Sequence, residues 1–99
     1  MTIIKTKDND KTTISLQGRL DTTTAPQLQE ELESVFNDAK AVYLDFSELI
    51  YVSSAGLRVL LIGMKAAKAK SAEFTLTNVS EEIMEVLEMT GFSDMLKIE

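Results

Sequence analysis

Few side chains in this 99-residue chain can do chemistry, and the most informative group is a run of small residues, Val52-Ser53-Ser54-Ala55-Gly56-Leu57-Arg58. A serine hydroxyl becomes a nucleophile only beside a base. The chain has no histidine, the commonest base near neutral pH, so a serine–histidine–aspartate hydrolase is excluded. It has no cysteine either, which removes thiolate catalysis, disulfides and thiolate metal ligation. What remains for Ser53 and Ser54 is hydrogen bonding or modification. Where a loop turns into a helix, a serine meets free backbone N–H groups and the positive end of the helix dipole. That environment stabilises an anion, a phosphate included. The same serines also suit plain helix caps, and residue type alone does not separate a cap from a switch. Gly56 lets the backbone come close to whatever docks there, although small residues at such a place also permit simple helix–strand packing.

Asp45 is the other candidate. It ends the apolar run Ala41-Val42-Tyr43-Leu44 and could accept a phosphoryl group. That chemistry wants further carboxylates to hold magnesium, and the first strands end in Thr6 and Gln17 instead. No glycine-rich phosphate-cradling motif occurs. The chain therefore does not read as an enzyme, and no cofactor or metal is expected.

The elements that must position the serines follow from periodicity. Ile3 to Thr6 and Thr12 to Gln17 read as a hairpin around the polar stretch Lys7–Lys11, with Ile14 and Leu16 alternating with polar residues. Gly18-Arg19-Leu20-Asp21 reads as a connector. Thr24, Pro26 and Gln27 open a helix with a capping box, and Leu28, Leu32, Val35, Phe36 and Ala39 share a face. The run at Ala41–Leu44 suits a central strand covered on both faces, with a loop over Phe46–Tyr51. A second helix starts near Ser53 or Ser54, carries Leu57, Leu60, Leu61 and Met64 inward and reaches about Lys70. Glu73–Thr77 is a strand, Ser80 caps a third helix, Gly91 stops it, and Met95–Ile98 is a short edge strand. The predicted order β-β-α-β-α-β-α-β means one α/β domain over residues 1–99: a mixed, mostly parallel sheet with an N-terminal hairpin and helices in successive βα turns.

Composition limits the partners. The net charge of −6 repels phosphate backbones and anionic lipid, so neither nucleic acid nor a membrane is expected. No apolar run approaches the roughly 20 residues of a membrane span, and the N-terminus does not read as a signal peptide. A cytoplasmic protein, monomeric or weakly dimeric, is the expectation. Glu81, Glu85 and Glu88 form an acidic stripe and Arg58, Lys65 and Lys68 a basic one, and both read as solvated faces.

The stretch Asp45-Phe46-Ser47 … Val52-Ser53-Ser54-Ala55-Gly56-Leu57-Arg58-Val59-Leu60 resembles the signature of STAS domains, the family of sulfate transporters and anti-sigma-factor antagonists. Gly18-Arg19-Leu20-Asp21-Thr22 … Ala25 … Leu28 and Leu87 … Thr90-Gly91-Phe92 resemble two further blocks of that family, in the same order. The resemblance implies an anti-sigma-factor antagonist. In stand-alone bacterial members the serine two residues before the glycine, here Ser54, is phosphorylated by a kinase that is itself the anti-sigma factor, and a serine phosphatase resets it. The unphosphorylated antagonist binds the kinase and frees the sigma factor. Many members have aspartate before that serine; here Ser53 stands there and is the second choice as acceptor. The resemblance also implies that Asp21 lies near the serine, where it could contact the partner or cap a turn, and that Asp21, Thr22, Ser53, Ser54, Ala55, Gly56 and Arg58 form one partner-binding patch. An alternative with the same face is a STAS subunit of a transport or signalling assembly, using it as a fixed docking surface.

Overall fold

The alternation that makes a half-buried strand holds from Thr12 to Leu16 and from Val42 to Phe46. A computed structural model describes all residues from Met1 to Glu99. Strand β1 (Thr2–Asp8) pairs antiparallel with β2 (Lys11–Leu20), and β3 (Ala41–Val52), β4 (Glu73–Thr77) and β5 (Lys97–Ile98) add in parallel, in the order β1-β2-β3-β4-β5. Ile14, Leu16, Val42, Leu44, Phe46, Phe74 and Leu76 fill one face of the sheet and are buried. Thr13, Ser15, Tyr43 and Asp45 point to the other face and are half-buried. The β1–β2 turn is tighter than the polar stretch suggested. Only Asn9 and Asp10 lie outside the strands, with Asn9 at φ 55°, a conformation asparagine tolerates.

Three helices make the crossovers: α1 (Ala25–Val35), α2 (Ser54–Ala69) and α3 (Glu81–Met89). Leu28 and Leu32 of α1, Leu57 and Leu60 of α2, and Ile83 and Leu87 of α3 join the strand residues in one core. Lys5 of β1 reaches Glu31 of α1 at 2.7 Å. Helix α1 is shorter than its apolar face suggests. Phe36 and Ala39 are buried from the turn that follows, where the Phe36 ring meets Phe74 edge-on with centroids 6.0 Å apart. Gly91 turns the chain out of α3 at φ 81° into a single 3-10 turn, Phe92–Asp94.

Two expectations are corrected, and both corrections build the site. The supposed connector after Gln17 is strand: β2 runs on to Leu20. The supposed loop Phe46–Tyr51 is also strand, because β3 continues to Val52 alongside it. The register explains the misreading. Ser15 pairs Asp45 but Gln17 pairs Glu48, and Gly18 pairs Leu49 but Arg19 pairs Tyr51, so β3 carries one extra residue in each interval. Two bulges stretch the spacing of buried positions from two to three, giving Phe46, Leu49 and Val52, a pattern that matches neither strand nor helix. Gly18 sits against the second bulge at φ 109°, a conformation residues with a Cβ rarely adopt.

Candidate functional site

The extension of β2 and β3 carries both strands to a common terminus at one end of the sheet. Leu20 pairs Val52, and the Ser53 N–H donates to the Leu20 carbonyl at 2.9 Å. Asp21 and Ser53 therefore follow directly from paired residues, which puts Asp21 close to the two serines.

Ser53 is the N-cap of α2. Its backbone is extended (φ −95°, ψ 175°), its carbonyl accepts from Leu57 N–H at 2.9 Å, and its Oγ accepts from Gly56 N–H at 3.3 Å. Ser54 is the first helical residue and is exposed, and no hydrogen bond engages its hydroxyl within the chain. The two serines thus divide the roles that residue type left undivided: one caps the helix and the other offers a free hydroxyl to solvent. No acidic residue occupies the first turn of α2. Arg58, one turn further on, is exposed and is in none of the chain's ion pairs. Residues four apart on a helix are neighbours, so its guanidinium is within reach of a group on Ser54.

Gly56 needs a correction. It is buried, and the backbone it brings close is the chain's own. A Cβ at this position would lie 2.7 Å from Leu20 Cγ and 3.0 Å from the Leu20 carbonyl oxygen. Gly56 seats α2 on the end of β2 and presents no surface of its own. Ala55 is half-buried against the core, while Thr22 is exposed beside Asp21.

The Asp21 carboxylate organises the start of α1. Its Oδ1 accepts from the Thr23 hydroxyl at 2.7 Å, from Thr23 N–H at 3.0 Å and from Thr24 N–H at 3.2 Å. These bonds, the Thr23 hydroxyl first, hold the carboxyl below its ordinary value of 3.8. The capping box expected of Thr24 and Gln27 does not form. Thr24 Oγ1 instead accepts from Asp21 N–H and donates to the Arg19 carbonyl, each at 2.8 Å, and thereby locks the loop to the end of β2. An acceptor already occupied on the strand side is unavailable to the helix.

Two residues of this edge were not singled out in the sequence. The Arg19 guanidinium lies 4.1 Å from the centroid of the Tyr51 ring, its cross-strand partner, and Arg19 Nε is 3.8 Å from Asp21 Oδ2. The signal that could have found the pair is an arginine and an aromatic each placed just ahead of a loop; it was hidden because both stretches read as irregular.

Asp45, the rejected phosphoryl acceptor, has its carboxylate engaged. Asn78 Nδ2 donates to it at 2.9 Å, Ser47 N–H at 3.0 Å and the Ser15 hydroxyl at 3.4 Å, and these bonds, Asn78's foremost, keep its pKa below 3.8. Nowhere do three histidine, cysteine, aspartate or glutamate side chains converge as a metal site would need. No helix is long and apolar enough to cross a membrane.

Comparison with known proteins agrees with the resemblance. The family model of the STAS domain matches residues 2–99. The anti-sigma-B factor antagonist of Listeria monocytogenes is 33% identical over 97 residues, covering 96% of this chain and 84% of that protein. The fold is shared with the anti-sigma factor antagonist SpoIIAA in its unphosphorylated form, with a TM-score of 0.79 at 18% identity over 99% of this chain and 87% of the other. The phosphorylated form of that Bacillus protein gives a TM-score of 0.78 at 18% identity, over 99% and 91%. With the family model matching almost end to end and the strand–loop–helix edge built from the family's blocks, this chain belongs to the STAS domain family.

Proposed function

We propose that this chain is an anti-sigma factor antagonist, a binding protein and not an enzyme, which docks on an anti-sigma factor kinase through the edge formed by Asp21, Thr22, Ser53, Ser54, Ala55 and Arg58. Phosphorylation of Ser54 by that kinase ends the interaction, and a serine phosphatase restores it in the cytoplasm. The relatives' roles support the antagonist reading. The observation that carries the choice of residue is the division between the serines: the Ser53 hydroxyl is committed to Gly56 N–H, whereas that of Ser54 is exposed and unengaged. A kinase needs a reachable hydroxyl, and transferring phosphate to Ser54 leaves the cap intact.

The energetics favour a switch that spares the fold. A phosphoserine adds roughly −1.5 to −2 charge. Covered by a partner without a matching cation, such a charge costs about 2–5 kcal/mol, at least about thirty-fold in affinity. Within the chain it lies at a helix N-terminus, where an anion gains about 0.3–2 kcal/mol. Binding is lost while the fold is kept.

Calorimetry with the purified anti-sigma kinase of the source organism tests this. Ser54→Ala is expected to bind like the unphosphorylated protein and Ser54→Asp more weakly, with circular dichroism showing both folded. Equal binding by the two variants, together with no effect of phosphorylating the wild type, would reduce Ser54 to an ordinary first-turn residue.

A further inference from the structure

The same edge carries an apolar feature that the phosphate switch does not use. Ile50 is the extra residue of the second β3 bulge: Leu49 pairs Gly18 and Tyr51 pairs Arg19, so Ile50 has no cross-strand partner. Ile50 is 72% exposed, although Leu49 before it and Val52 two residues on are buried. A lone exposed apolar residue is ordinary on a protein surface. This one differs in its setting. A bulge re-aims a side chain out of the pleat, and this bulge aims an isoleucine into water. Beside it Tyr51, 41% exposed, has the Arg19 guanidinium 4.1 Å from its ring centroid, and two residues after Tyr51 the chain reaches Ser53 and the α2 N-terminus. The chain has a net charge of −6 and only two arginines, Arg19 and Arg58, and both border this edge.

We propose that Ile50, with the Arg19–Tyr51 pair, is the anchor of the face that binds the anti-sigma kinase, and that the partner offers it an apolar socket rimmed by carboxylates. This rests on the antagonist reading given above. An aliphatic knob beside an aromatic ring and an arginine is the composition found at the energetic centre of protein interfaces, where charged residues other than arginine are depleted. Carboxylates on the partner complement Arg19 and the unpaired Arg58. They also give the switch its sign. A phosphate on Ser54 draws Arg58 to itself and sets like charge against the partner's rim. The anchor supplies affinity and the serine gates it.

Ile50→Thr tests the anchor, since threonine keeps the β-branched shape that strands favour while removing apolar surface. Titrated with the purified anti-sigma kinase, unphosphorylated Ile50→Thr is expected to bind about ten-fold or more weakly than wild type, with an unchanged melting temperature. Met89→Thr, at an equally exposed apolar position on α3, is expected to bind like wild type. If Ile50→Thr binds like wild type while Ser54→Asp is weakened, the anchor is overturned and the switch stands. If wild type itself does not bind the kinase, both fall. If Ile50→Thr leaves kinase affinity intact but abolishes dimers in sedimentation, the knob serves a second copy of this chain and the anchor is again overturned.

Discussion

Helices α2 and α3 begin almost alike and end up with different duties. Each has a serine N-cap in extended conformation, and each cap oxygen accepts from the N–H three residues on, at 3.3 Å from Gly56 and 3.2 Å from Ile83. The cap satisfies the same orphan donor in both. The following residues diverge. Helix α3 places Glu81 and Glu82 in its first turn, where carboxylates offset the positive dipole end, and a buried isoleucine at the third position. Helix α2 places there a free serine hydroxyl, no carboxylate, and a glycine pressed on Leu20. At the start of α1 the anion is Asp21. Helix α3 has carboxylates in its first turn, α1 has one just ahead of its N-cap, and α2 has neither. A helix start that serves the fold alone looks like α3; α2 is seated as tightly but left electrostatically open.

The third helical position offers the hardest test of that contrast. Ile83→Ala opens a cavity in the core and is expected to cost about 2–5 kcal/mol. Gly56→Ala forces a methyl against the backbone oxygen of Leu20, and overpacking of about 1–3 kcal/mol outweighs the roughly 1 kcal/mol alanine gains in a helix. Urea unfolding should show both as clear losses. A stabilised Gly56→Ala would mean that the approach of α2 to β2 is not tight.

Phosphorylation probes the open end directly. A phosphate on Ser54 is expected to raise the melting temperature, by the equivalent of about 1 kcal/mol. Arg58→Ala should give a smaller rise, because the i+4 guanidinium is gone. Equal rises in the two proteins would remove Arg58 from the account.

Exchanging the caps for aspartate should sharpen the comparison further. Ser53→Asp adds an anion where none exists and is expected to stabilise by about 0.5 kcal/mol at low salt, while Ser80→Asp, next to Glu81 and Glu82, gains little or loses. Matched midpoints for the two variants would show that the N-terminus of α2 is no more receptive to an anion than that of α3.

The smallest effect concerns the anion that α1 already has. The Asp21 pKa is lower in the folded chain, chiefly through the Thr23 hydroxyl, so the charged form favours folding. Its contribution is present above the unfolded value near 3.8 and is lost as pH falls through the still lower folded value. Wild type should therefore exceed Asp21→Asn in urea midpoint near neutral pH, and the gap should close on acidification. A gap independent of pH would assign the effect to hydrogen-bond geometry and not to charge.

Much of this architecture was legible in the order of residues. Periods of two and near four found each strand and helix, though not the full length of β2 and β3; Ser80 announced its cap, and the family's blocks pointed to the place where strand ends meet a helix start. These are local properties, set by side-chain spacing and by the few residues that satisfy a helix end. The tertiary structure decided the rest. That β3 runs to Val52 depends on pairing with β2 through two bulges, which no alternation records because each bulge resets the period. That Gly56 serves Leu20 and not a partner depends on a helix and a strand end distant in sequence touching. Which serine is free depends on the extended backbone of Ser53 aiming its oxygen at Gly56, and two neighbouring hydroxyls are chemically identical until the chain around them takes a shape.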